Sequence, residues 1–471
     1  MSLNLAVPLA WRQASAAEQA ALDNLQGNIL KSHGRSHTRH LFLRFDAADA
    51  AGTRRYLAWL GTQATSALRQ LRDADTFRRT HRSSGAFVAV LVSASGYRKL
   101  GVRAAQMPAN PAFKAGMKAR RALLNDPPVN KWDAAFRGDV DAMILIAGDT
   151  APMAKTEVGR LLARRPRSTV LLNEETGHAY KNANGDGIEH FGYVDGRSQP
   201  LLLVEDVERE NSDRDGTHVW DPAFPLRQVL VRSRGGGPND FGSYFVFRKL
   251  EQNVKSFQQR EQQLATALGL KGADRDLAGA MAIGRFRDGT PISLQRGPGM
   301  HNPVPNNFNF DGDESGHKCP FHSHIRKCNP RGESATQRRE SVPLERARLM
   351  ARRGITYEEP GKTRKTKSDG AGIRFIDQPS GGVGLLFLAC QQDIGKQFEF
   401  AQQRWINDPE FVANGASIDP IAGQGTKTTQ RWPTAWGSAE RKGFSFESFV
   451  RMKGGEYFFA PPLSFLKSLA L

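Results

Sequence analysis

Arg39-His-Leu-Phe-Leu-Arg-Phe45 reads as a β-strand, and the order of the elements after it decides the fold. An alanine-rich stretch predicts a helix over 48–72. Two apolar runs, Ala86-Phe-Val-Ala-Val-Leu-Val92 and Asp141-Ala-Met-Ile-Leu-Ile-Ala147, predict strands, and a helix over 153–164 and a strand over 168–173 come next. Apart from a helical insert between the second and third strands, this is β-α-β-β-α-β, the split unit of the ferredoxin-like fold.

The second half repeats that order with longer insertions. Strand 243–249, helix 251–268, strands 349–357 and 383–390, helix 393–405 and strand 456–460 are expected. Two such halves predict an α+β chain of two ferredoxin-like domains with antiparallel sheets, over residues 1–220 and 221–471. They meet where 205–215 is highly charged and Gly235-Gly-Gly-Pro238 breaks any element. Two long excursions remain. The one over 280–345 carries clustered His and Cys and is expected to be functional. The basic, Gly-rich one over 358–382 is expected to be a flexible surface loop.

The chain has 471 residues, with 66 Lys and Arg against 48 Asp and Glu, a net charge of +18. The basic residues are scattered, and no basic run interleaved with aromatics marks a specific nucleic-acid site. A general positive field favours anionic partners instead. Cys319, Cys328 and Cys390 cannot form a disulfide framework, which points to a reducing compartment. The apolar residues 3–10 lack a basic n-region or a twin-arginine pair, and no apolar stretch approaches the roughly 18 residues of a membrane span. A cytoplasmic protein without a membrane segment is the expectation.

Chemistry concentrates in Cys319-Pro-Phe-His-Ser-His-Ile-Arg-Lys-Cys-Asn-Pro-Arg331. A histidine such as His324 can ligate a haem iron axially, and Arg326 and Arg331 can pair with the haem propionates. No C-x-x-C-H motif is present for covalent attachment. Zinc is the rival reading, with His317, Cys319, His322, His324 and Cys328 close in sequence, although their spacing fits no common zinc module. Histidines satisfied within the loop are a third. Upstream, Gly192-Tyr-Val-Asp-Gly196 sets an acid between glycines that permit a tight turn and close backbone approach to a flat ligand. Asp195 there is either a proton carrier or an ordinary turn aspartate. Arg352 and Arg353 are candidates for stabilising charge, and Leu385 and Phe387 share one face of a strand that walls a pocket or fills a core.

Taken in order, Leu25-Gln-Gly-Asn-Ile-Leu30, Glu189-His-Phe-Gly-Tyr-Val-Asp-Gly-Arg-Ser-Gln-Pro200, His324-Ile-Arg-Lys-Cys-Asn-Pro-Arg331, Arg352-Arg-Gly-Ile-Thr-Tyr357 and Gly384-Leu-Leu-Phe-Leu-Ala-Cys-Gln-Gln-Asp393 resemble the dye-decolorizing peroxidase family. The longer loops after His324 and Tyr357 resemble its larger C/D-like branch. The resemblance implies non-covalent haem b in the C-terminal half, with the Asp195 loop reaching across. It makes His324 the proximal iron ligand, Asp195 the distal acid-base and Arg352 the distal arginine, with Leu385 and Phe387 flanking the distal cavity. It implies hydrogen peroxide as oxidant, ferryl intermediates, and dyes, phenolics or other bulky aromatic or anionic reductants, with oligomerisation left open. His322 and Cys328 depart from the family pattern. Asp393, Glu399 and Asp419 are the candidates to support the second nitrogen of His324. The competing classes are a haem-delivery protein with incidental peroxidase activity and a zinc-stabilised nucleic-acid-binding module.

Overall fold

The computed structural model describes residues 3–213, 215–299, 301–369, 372–426, 428–446 and 448–470. The first half supplies strands β1 (His37–Phe45), β2 (Phe87–Ser93), β3 (Ala142–Gly148) and β4 (Thr169–His178). The second supplies β5 (Phe241–Gln252), β6 (Ile355–Glu358), β7 (Val383–Gln391) and β8 (Val450–Ala460). Hydrogen bonding orders the first set β4-β1-β3-β2 and the second β8-β5-β7-β6. The two orders are the same permutation, and all their pairings are antiparallel. Each half is therefore a ferredoxin-like unit, and the fold is α+β.

The sheets do not end at their edges. β8 pairs with β2 through Phe458–Ser93 and Phe459–Val92. β4 meets β6 at Gly177–Tyr357. With β7 paired to β5, the eight strands close into a ring in which none keeps an open edge. The core is shared accordingly: Phe42 of β1 packs 4.8 Å from Phe247 of β5 and edge-on to Phe136 at 4.9 Å.

Three expected elements differ in form. The helix expected over 48–72 is two, α1 (Ala50–Gln63) and α2 (Ala67–Thr80). The break lets Thr65 exchange hydrogen bonds with Val88 on β2, and the Ser66 side chain restarts the helix by accepting from the Arg69 N–H. The strand expected over 349–357 is interrupted, as Ala351–Arg352 and Ile355–Glu358, but both pieces follow one register along β7. The described residues of the basic segment 358–382 form regular structure rather than a loose loop. Its strands Thr366–Asp369 and Gly372–Phe375 form a hairpin, Phe375 packs edge-on to Tyr180 at 4.9 Å, and buried Arg364 pairs with Asp377 at 2.7 Å. Charge and glycine content suggested disorder there; Ile373 and Phe375 supply the apolar face that overrides it.

Helices α3 (Ala151–Leu162), α4 (Val254–Ala267) and α5 (Asp276–Ile283) complete the frame, with α3 capped by Thr150 and α4 by Asn253. Ring closure between β7 and β5 requires a glycine at 384, where a Cβ would stand 1.9 Å from the Leu250 carbonyl oxygen. Gly384→Ala is expected to cost about 1–3 kcal/mol through overpacking. Chemical denaturation checks this, and a variant as stable as the parent would contradict the close approach.

Candidate active site

One cavity of about 870 Å³ gathers residues from both halves, including Asp195, Gly196, Arg331, Arg352, Leu385, Phe387 and His324. That volume lies in the range of cofactor-binding sites.

His324 opens the short helix α6 (His324–Cys328), and its Nδ1 lies 2.7 Å from Asp419 Oδ2. The fully buried Asp419 is fixed in turn, its Oδ1 accepting from the Ile421 and Ala422 N–H groups at 2.7 and 3.0 Å. Of the three carboxylates considered, Asp419 is the partner; Glu399 pairs with Arg120, and Asp393 accepts from the Lys396 N–H. Burial alone would push the His324 imidazole down, but Asp419 outweighs it and holds the ring well above the ordinary histidine range. Reciprocally, His324 and the two N–H groups overcome the burial of Asp419 and hold its carboxyl low. A carboxylate on Nδ1 fixes the ring and leaves Nε2 as the nitrogen without a carboxylate partner.

The neighbouring residues separate by helical geometry. Arg326, two positions after His324, points the other way and is fully buried. Its guanidinium is tied to Asp313 at 2.9 Å, to Glu333 and to the Cys319 carbonyl, so it does not line the cavity, and its expected propionate role is withdrawn. His322 packs edge-on to Trp432 at 4.3 Å, and burial pushes it down to about 3. Of the five residues of the zinc reading, His324 and Cys328 alone converge, together with Asp419, among the described residues. The Cys328 Sγ lies against the His324 ring, 3.5 Å from Nδ1 and 3.9 Å from Nε2, and 3.8 Å from Asp419 Oδ2.

The Asp195 segment hangs from two carboxylates, half-buried Glu189 and buried Glu261. Glu189 accepts from the Phe191 and Tyr193 N–H groups at 2.8 and 3.0 Å and from Gln252 at 2.5 Å. Glu261 of α4 accepts from the Tyr193 hydroxyl and from Arg287, both at 2.5 Å. Gly192 has φ +96° and shapes the turn without facing the cavity; Gly196, φ +87°, lines it. The Asp195 side chain is exposed to the cavity, with one oxygen accepting from the Gly196 N–H at 2.7 Å.

Arg352 and Arg353 divide as neighbours on a strand do. Arg353 is buried, and its guanidinium donates to the Asn28, Ile29 and Arg352 carbonyls. Arg352 spends Nη2 on the Arg197 carbonyl at 3.0 Å and is otherwise uncommitted among the described residues. Leu385 and Phe387 both present to the cavity from β7.

Sequence reasoning missed Arg285. Together with Arg331 it forms a buried basic wall, bridged by Ser198 and facing the cavity. Neither meets a carboxylate within ion-pair range among the described residues. Their donors go to the carbonyls of Gly289 and Pro305 for Arg285, and of Asn306 and Phe308 for Arg331. Burial, with Arg197 and Arg352 beside it, pushes Arg285 down to about 9, and burial with Arg285 and Arg197 beside it holds Arg331 well below its usual value. A lone arginine in a Gly-rich segment carries no signature that would have revealed it. An axial nitrogen oriented by a carboxylate, and uncompensated guanidinium groups on the same wall, fit an iron macrocycle bearing carboxylates.

A closed two-sheet ring beside a cavity that gathers this donor set with an acid, an arginine and an apolar wall defines a haem peroxidase. No protein-family model matches the sequence. The multifunctional dye peroxidase DyP2 of Amycolatopsis sp. is 44% identical over the whole of both chains, and its structure superposes with a TM-score of 0.92 over 99% of this chain and 100% of that one. A DyP-type peroxidase of Anabaena sp. superposes with a TM-score of 0.91 at 38% identity, over 98% of this chain and 97% of that one. The dye-decolorizing peroxidase msp1 of Mycetinis scorodonius is 28% identical over 98% of this chain and 90% of its own length. The chain belongs to the dye-decolorizing peroxidase family and is an oxidoreductase acting on peroxide, with haem as cofactor. Among the described residues no helix is long and apolar enough to cross a membrane.

Removing the Asp419 carboxylate frees the His324 ring. Asp419→Ala is expected to weaken iron-porphyrin affinity on the order of 10–100-fold. The haem-to-protein absorbance ratio after purification checks it; parental haem content would show that the hydrogen bond has no anchoring role.

Proposed function

We propose that the cavity binds haem b non-covalently, with His324 as the axial ligand, and that Asp195 and Arg352 carry the peroxide chemistry. The observation that carries this reading is the convergence of the carboxylate-anchored His324, Asp195 and Arg352 on one cavity. Non-covalent attachment is supported by the absence of a C-x-x-C-H motif. Arg331 and Arg285 are the partners for the carboxylates of the macrocycle. The division of labour follows the two halves, residues 1–220 bringing Asp195 and residues 221–471 bringing His324.

Haem, when bound, supplies the redox-active iron for reduction of peroxide and one-electron oxidation of the reductant. The Asp195 carboxylate takes the proton from one oxygen of hydrogen peroxide and delivers it to the other, which departs as water. Arg352, permanently protonated and with guanidinium donors free, stabilises negative charge as the oxygen–oxygen bond breaks. Leu385 and Phe387 keep that region apolar, which strengthens both interactions.

The reductants proposed are dyes, phenolics and other bulky aromatic compounds, with anionic ones favoured by the net charge of +18. Cytoplasmic residence is supported by three cysteines that all remain free.

Asp195→Asn is expected to slow peroxide-dependent oxidation of an anthraquinone dye by about 10²–10⁴-fold. Arg352→Leu should slow it comparably while haem absorbance persists. Stopped-flow spectroscopy with hydrogen peroxide separates these steps from dye binding, and a parental rate in either variant removes that residue from the mechanism. A carboxylate base also predicts peroxide activation that persists below about pH 5, where a histidine base, ordinarily titrating near 6.5, would be protonated and inactive.

A further inference from the structure

On the rim of the cavity two histidines confront each other across β1 and β4. His37 stands opposite His178 in antiparallel register, and their neighbours Ser36 and Ala179 line the cavity. The two Nδ1 atoms are 3.2 Å apart, with ring centroids at 4.6 Å. Neither imidazole has another hydrogen-bond partner among the described residues. Both side chains are half-buried and so remain open to solvent, and Tyr180 packs edge-on to His178 at 4.7 Å, fixing its ring.

Two nitrogens bound to one tetrahedral ion, each about 2.0–2.1 Å from it, lie about 3.3 Å apart. The His37–His178 separation is of that size, and the two rings face each other through the same nitrogen, Nδ1. Burial holds both imidazoles below the ordinary histidine range, helped by Arg39 at His37 and by His37 at His178, so the lone pairs are free at neutral pH. The charges around the pair are balanced: Arg39 is engaged by Glu174 at 2.7 Å, and Glu358 acts on His178 with the opposite sign. Adjacent strands hold the two side chains in place before any ligand arrives, so little ordering entropy is lost on binding.

We propose that His37 and His178 form a binding site for a divalent transition ion of the zinc or copper type, with water completing the coordination. Paired imidazoles select such ions over magnesium, calcium and manganese, which prefer oxygen ligands. The site is independent of haem and of the roles given to Asp195 and His324.

The test uses the haem-loaded protein, in which His324 is occupied. Isothermal titration with Cu²⁺ and with Zn²⁺ is expected to show one high-affinity equivalent per chain, and titration with Mg²⁺ none. His37→Gln and His178→Gln should each weaken Cu²⁺ binding at least tenfold, with the Soret band reporting an intact fold. On the parent protein, electron paramagnetic resonance of bound Cu²⁺ should show coupling to two imidazole nitrogens. Absence of Cu²⁺ binding, binding unchanged in both variants, or a Cu²⁺ spectrum without nitrogen coupling would overturn the proposal and leave the pair as an N–H···N hydrogen bond.

Discussion

The seam between β4 and β6 fixes where every other part of the site falls. Its backbone pairing is small, at Gly177–Tyr357, but side chains reinforce it: the Thr356 hydroxyl donates to the His178 carbonyl, and His190 Nε2 lies 3.0 Å from the Tyr357 carbonyl. The close approach needs a glycine at 177, where a Cβ would meet Thr38 Oγ1 at 2.3 Å and Ile355 at 2.5 Å. The Asp195 segment follows β4, Arg352 precedes β6, and Leu385 and Phe387 lie on β7, the next strand in the ring. Joining β4 to β6 therefore brings the acid, the arginine and the apolar wall to one cavity. A closed ring also removes the sheet edges that two separate ferredoxin-like sheets would expose.

Position alone does not hold an exposed aspartate in a defined place. The Asp195 turn is braced by half-buried Glu189 on its backbone and by buried Glu261 through Tyr193. Buried carboxylates are costly unless their lone pairs are satisfied, and here N–H, amide, phenol and guanidinium donors satisfy them. Such a network tolerates one arrangement of the loop better than any other. It also explains the glycine at 279 on α5, where a Cβ would stand 1.8 Å from the Tyr193 hydroxyl.

Much of this was legible in the sequence because strands announce themselves by local apolar runs, and the strand series was enough to give the split β-α-β-β-α-β order twice. The seams were not legible, since pairing between distant edges leaves no local pattern. Motif likeness pointed to His324; in the structure His322 packs against Trp432, while His324 lines the cavity. Arg326 misled because proximity in sequence was read as proximity to the ligand, whereas residues two apart on a helix face different ways. The same blindness concealed Arg285, whose importance comes from a burial that composition cannot reveal. Residues 358–382 erred in the other direction: their charge masked the apolar residues that pin the hairpin down.

The buried arginines carry a further energetic consequence. Guanidinium groups removed from water without a countercharge lose hydration that neutral carbonyls only partly replace. Arg285 and Arg331 are in that state, and neighbouring guanidinium groups raise the cost at each, Arg197 and Arg352 at Arg285, Arg285 and Arg197 at Arg331. An anionic ligand entering the cavity gains the ordinary charge-assisted hydrogen bonds and also relieves that repulsion, so part of its affinity is a cost already met in folding. The same wall disfavours a cationic ligand by the same amount of charge. In the proposed reading, selectivity for a carboxylate-bearing macrocycle would be set by Arg285 and Arg331, residues distinct from the His324–Asp419 pair that would meet its metal.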